Sequence, residues 1–138
     1  MQGMKSNPRL FLALVTAAMA LAAAPAMAAT SPSEQMAAYA AQGGGAAQAV
    51  RGQAFFTTKH GKDWSCSTCH TATPTVDGKH ASTGKVIAPM APAFNAERFT
   101  DAAKTEKWFR RNCNDVVGRE CSPAEKADVL SWLLSLKS

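Results

Sequence analysis

Cys66-Ser67-Thr68-Cys69-His70 is the stretch on which the fold turns. Two cysteines separated by two residues and followed at once by histidine form the attachment signature of a c-type haem. The chemistry explains the spacing. Thiols three positions apart reach two vinyl groups on one porphyrin edge and close thioethers. The next residue then lies beneath the ring, where an imidazole nitrogen reaches the iron. Cys66 and Cys69 are therefore read as the haem-bearing pair and His70 as the proximal ligand. Other uses of the pair fail on context. A dithiol redox motif needs a βαβ surround, and a zinc site needs a second ligand pair at matching spacing. The sequence offers neither.

Around the motif, residues 59–95 carry Gly, Pro, Thr and Ser throughout. This reads as a loop wrapped around something, with a short helical turn at the cysteines. Helices flank it. Ser31-Pro32-Ser33-Glu34 is a capping box with proline at the first helical position, and that helix stops at Gly43-Gly44-Gly45. A second helix is predicted over Ala46 to Thr57, with Val50, Ala54 and Phe55 as its apolar face. Thr100-Asp101 opens a third through Trp108 and Phe109, the acid favouring the positive helix start. Ser122-Pro123-Ala124-Glu125 opens the last, whose buried stripe is Ala127, Leu130, Leu133 and Leu134, with Trp132 beside it. No segment has a strand period and nothing repeats. The fold class is all-α.

The first residues have a different use. Lys5 and Arg9 lead into an apolar run from Leu10 to Ala24, followed by Pro25 and Ala26-Met27-Ala28. A basic start, a short greasy stretch and cleavable small residues are the layout of a secretory signal. A membrane anchor needs about 20 apolar residues, and this run is shorter. Residues 1–28 are thus a predicted signal peptide and residues 29–138 a single exported domain, periplasmic, with no membrane span after cleavage. The chain's charge of +5 falls to +3 once Lys5 and Arg9 are lost. The remaining Lys and Arg are dispersed among Asp and Glu, which argues against a nucleic-acid partner. A domain of 110 residues buries a modest core and benefits from a staple or cofactor. Cys113 and Cys121, the two cysteines free of haem, have one possible pairing, and an oxidising compartment favours it.

What binds the other face of the iron decides function. Met90 lies in Ile87-Ala88-Pro89-Met90-Ala91-Pro92, and methionine serves in many electron-transfer cytochromes. His60 and His80 stand in polar, lysine-containing loops, where a solvated histidine is the ordinary outcome. Thr105, Trp108, Phe109 and Asn112 share one stripe of the third helix. An amide on an inward stripe is costly to bury without a partner, yet a helix-terminal asparagine bonded to backbone is also common. From these residues alone Asn112 is either a cap or a ligand.

A resemblance sharpens the choice. Thr83-Gly84-Lys85-Val86-Ile87-Ala88-Pro89-Met90-Ala91-Pro92 and Arg98-Phe99-Thr100-Asp101 closely resemble the sphaeroides haem protein (SHP) family. Lys107-Trp108, Arg111-Asn112-Cys113-Asn114 and Cys121-Ser122-Pro123-Ala124-Glu125-Lys126-Ala127-Asp128 extend the match across nearly the whole mature chain. The resemblance implies a small cytochrome c-like helical domain around one covalent haem c. It implies that Asn112 is the distal ligand and that a disulfide runs from Cys113 to Cys121. In a related branch, resembling cytochrome c″, histidine stands where this chain has Asn112. Met90 departs from the family, whose members carry leucine there. The implied function is a high-spin cytochrome that binds oxygen or nitric oxide when reduced, with a dihaem cytochrome c as electron donor. The rival is an electron shuttle with His70 and Met90 on the iron. A dedicated enzyme finds no convincing acid–base pair in the sequence.

Overall fold

The computed structural model describes Gly3 and residues 29–137. Apart from Gly3, the predicted signal segment lies outside the described residues. Among the described residues there are five helices: α1 (Pro32–Gly43), α2 (Ala49–Thr57), α3 (Cys66–His70), α4 (Ala102–Val116) and α5 (Pro123–Ser135). The predicted starts are built as the sequence suggested. Ser31 Oγ accepts from the Glu34 N–H at 3.2 Å while Glu34 Oε2 accepts from the Ser31 N–H at 2.7 Å. Ser122 and Glu125 repeat this box on α5 at 3.2 and 2.8 Å. Asp101 caps α4 by accepting from the Lys104 N–H at 2.9 Å. Gly44 ends α1 in the left-handed region, φ 73°.

α5 is the spine. Residues 126–130, Trp132 and Leu133 are all buried, and α1 and α2 both pack on it. Of the expected stripe, Ala127, Leu130 and Leu133 are buried and Leu134 is half-buried. Phe56, Val129, Trp132 and Leu133 form the core cluster.

α2 departs from expectation in two ways. It begins at Ala49, three residues late, and its buried residues are Gly52 and Phe56. Val50 is 80% exposed, and Ala54 is exposed too. Both corrections have one cause. A Cβ on Gly52 would lie 1.9 Å from the Asp128 carbonyl oxygen, so the bare glycine lets α2 press directly on α5. The contact face therefore centres on a residue that apolar periodicity does not count. At the start of α2, Gln48 offers no side-chain cap. Asp128 of α5 accepts from the Gln48 N–H at 2.7 Å and from Arg51 Nε and Nη2 at 2.6 and 2.9 Å.

A two-stranded antiparallel ribbon, β1 (Gly78–Lys79) and β2 (Val86–Ile87), interrupts the long loop and corrects the strand-free reading. Strands of two residues are too short to show a period. His80 turns the ribbon, its Nδ1 accepting from the Thr83 N–H at 3.3 Å.

α4 is held differently from the rest. Only Thr105 and Cys113 are buried on it, and Trp108, expected to face inward, is 44% exposed. Cys113 is disulfide-bonded to Cys121, ahead of α5. One and a half turns or more upstream, Glu106 accepts from Lys126 Nζ at 2.7 and 2.9 Å and from the Tyr39 hydroxyl at 2.7 Å. Lys126 is itself buried, its ammonium 5.2 Å from the Tyr39 ring centre and 5.9 Å from that of Phe109.

Candidate haem site

α3 brings Cys66, Cys69 and His70 onto one turn of helix. The turn is too short to stand by propensity and is locked by hydroxyls. Thr68 Oγ1 accepts from the Ser65 N–H at 2.9 Å, and the buried Ser65 Oγ bonds Ser67 Oγ at 2.7 Å. Downstream, Thr71 has φ 69° and ψ 161°, a region nearly reserved for glycine. Holding a β-branched residue there costs about 1–3 kcal/mol, and it turns the chain away immediately after His70. The ribbon then returns against α3 so closely that a Cβ on Gly78 would lie 2.0 Å from the Cys69 carbonyl oxygen.

The side chains suit a covalent haem. Cys66 and Cys69 are free thiols, not joined to each other. Burial pushes the Cys66 thiol up to about 11, so it stays protonated. Redox-active Cys-x-x-Cys pairs are tuned the other way, toward thiolate. Burial, with a smaller push from the Arg98 cation, lowers His70 to about 4. Its imidazole is neutral at physiological pH, the form that donates a lone pair to iron. No described residue hydrogen-bonds the His70 ring, whereas the other two histidines are both engaged. Phe56 stands 6.1 Å from the ring, centre to centre, and ties α3 to the core. Sequence reasoning passed over Phe56 in favour of Phe55; the available signal was its spacing of four from Gly52.

The candidates for the opposite face differ in what they already hold. His60 Nε2 is 2.8 Å from the Phe55 carbonyl oxygen, and His80 is exposed and occupied with its own turn. Met90 packs against the core cluster, as do Cys66, Phe99 and Phe109. Asn112 is half-buried one turn beyond Phe109 and next to the disulfide. It is not a cap: α4 continues to Val116, and Asn114 is the residue whose amide bonds back to a carbonyl, that of Arg110 at 2.8 Å. The Asn112 side chain has no hydrogen-bond partner among the described residues. Trp64 and Phe94, at 37% and 38% exposure, join Trp108 as large rings left open in the chain alone. Exposed large rings, free thiols and an unpartnered imidazole together fit a flat apolar cofactor.

A family model described as a domain of unknown function (DUF1924) matches residues 42–133. The cytochrome c-type protein SHP of Cereibacter sphaeroides is 51% identical over 119 residues, covering 83% of this chain and 92% of that protein. The structure of oxidised SHP, described as an oxygen-binding cytochrome c, matches at 49% identity with a TM-score of 0.74. That match covers 78% of this chain and 99% of that one. The solution structure of Methylophilus methylotrophus cytochrome c″, concerned with the structural basis of haem-ligand detachment, matches at 37% identity and a TM-score of 0.66. It covers 78% of this chain and 94% of that one. The chain therefore belongs to the SHP family of monohaem c-type cytochromes, and its cofactor is one covalently attached haem c.

Proposed function

We propose that the chain is an exported, high-spin cytochrome c whose haem is held by Cys66 and Cys69, with His70 proximal and Asn112 as a distal ligand released on reduction. When bound, the haem supplies a one-electron redox centre and, reduced, a site for oxygen or nitric oxide. The observation that carries the reading is the Asn112 amide, half-buried and without a hydrogen-bond partner among the described residues. Engaged by no other described group, that amide is available as a ligand. Its carbonyl oxygen is a hard, weak donor, suited to ferric iron and poorly held by ferrous iron. The α4 attachments support the same reading. Glu106–Lys126 on one side and Cys113–Cys121 on the other hold the helix at two points that bracket Asn112.

The described oxygen binding of SHP and the ligand detachment of cytochrome c″ are the properties this proposal carries over. Residues 1–28 direct export to the periplasm and are removed, and a dihaem cytochrome c delivers the electron. No helix among the described residues is long and apolar enough to cross a membrane. Met90 packs against the core cluster, and the likeness to oxidised SHP, described as oxygen-binding, favours the gas-binding reading over a Met90 shuttle.

The test is substitution at position 112. Asn112→Ala should open the ferric site and speed azide or cyanide binding. Asn112→His should give a low-spin, two-histidine spectrum, imidazole being the stronger donor. Unchanged ferric ligand-binding rates in Asn112→Ala would remove asparagine from the iron.

A further inference from the structure

Arg98 is a half-buried cation for which the described residues provide no anion. Its Nε donates to the Pro89 carbonyl at 2.8 Å and its Nη2 to that of Ala88 at 2.5 Å. No described carboxylate lies within ion-pair distance of it. The neighbouring Glu97 and Asp101 are exposed, and Asp101 is occupied in capping α4. The guanidinium is not loose. Asn95 Nδ2 also donates to the Pro89 carbonyl, at 3.2 Å. The N–H groups of Met90 and Ala91 both bond Pro74 O at 3.0 Å, and those of Phe94 and Asn95 bond Ala91 O at 3.0 and 3.1 Å. Arg98 is thus fixed by a closed, hydrogen-bonded loop. Two of its five N–H groups are used, and the rest of the fork is free. The loop lies beside the haem-bearing turn: Pro74 is four residues past His70, and Phe99, next to Arg98, packs against the same core cluster as Cys66.

A partly desolvated charge without a counter-ion is costly unless one arrives from outside the chain. The cofactor brings two carboxylates. We propose that Arg98 holds a propionate of the haem attached at Cys66 and Cys69, fixing the ring's orientation and raising its reduction potential. The planar guanidinium matches a carboxylate with parallel N–H···O bonds. A fixed positive charge near the iron disfavours the more positive ferric state, hence the direction of the potential. The proposal rests on haem attachment at α3 and not on the identity of the distal ligand.

The experiment compares wild-type holoprotein with Arg98→Gln and Arg98→Lys. Resonance Raman reads the propionate bending bands, and titration reads the reduction potential, each with and without added inorganic phosphate. Arg98→Gln should move a propionate band. At the wild-type midpoint its reduced-to-oxidised ratio should fall at least tenfold, which is 59 mV for a one-electron couple. Arg98→Lys should keep most of the potential yet move the band, because a point charge replaces the fork. If Arg98→Gln does not load haem, the Raman bands of Arg98→Lys decide. Propionate bands identical to wild type in the variants would overturn the proposal. So would a wild-type potential that follows added phosphate while the bands stay fixed, which would assign the fork to a free anion. These readouts come from the propionates and compare like with like, so they remain legible even if Asn112 proves not to be a ligand.

Discussion

At His60, His80, Met90 and Asn112 the question is what each side chain already holds. His60 has the Phe55 carbonyl, His80 has its turn, and Met90 has the core cluster. Asn112 holds nothing among the described residues. Met90→Leu, a swap of similar volume, should leave the ferric spectrum intact and cost less than about 1.5 kcal/mol. Loss of a methionine–iron charge-transfer band in that variant would instead establish an electron shuttle. The attachment motif was fully legible in sequence because its chemistry is local: two thiols and an imidazole within five residues. Asn112 was not, since a cap and a ligand look alike until the helix end is located. Four further residues of α4, and Asn114 in the bonding role, remove the cap. Arg98 was also silent in sequence, because the absence of an anion is a property of the folded loop.

Among the elements, α2 shows what periodicity misses. Capping boxes and proline placed α1 and α5 correctly, because those signals are confined to one turn of helix. The start and face of α2 depend on Asp128 and Gly52, a contact made across the fold. Gly52→Ala should therefore destabilise the holoprotein by about 3 kcal/mol in urea unfolding, at the upper end of overpacking costs. A change below 0.5 kcal/mol would show that α2 can move off α5. α4 carries a pH dependence. Burial alone would raise the Glu106 pKa, but the hydrogen bonds from Lys126 and Tyr39 outweigh it and the net shift is downward from 4.5. A carboxylate depressed on folding stabilises the protein above its unfolded pKa, and that contribution is lost as pH falls through the folded value. Glu106→Gln should therefore melt below the wild type at pH 7, with the gap closing as pH drops below 4.5. A gap that stays constant down to pH 3 would mean the pair with Lys126 is not the source.

In the whole molecule, α1, α2 and α5 form a packed body, and α4 is tied to it by a covalent bond and one ion-pair network. Closing the loop between Cys113 and Cys121 restricts the unfolded chain by about 2–3 kcal/mol, and it also fixes the residue next to Asn112. The fold class and helix order were legible because each helix carries its own start signal. The ribbon and the exposed setting of Trp108 were not, as both depend on how the chain packs rather than on local pattern. A firmly held helix that carries Asn112 between its two attachments suits the proposed site that opens on reduction without unfolding. The direct measurement is the absorption spectrum of the dithionite-reduced wild-type protein, followed by stopped-flow mixing with carbon monoxide. A five-coordinate, high-spin ferrous spectrum is predicted, with carbon monoxide uptake whose rate rises in proportion to its concentration. A low-spin ferrous spectrum, with uptake that levels off at a slow limiting rate, would contradict the account.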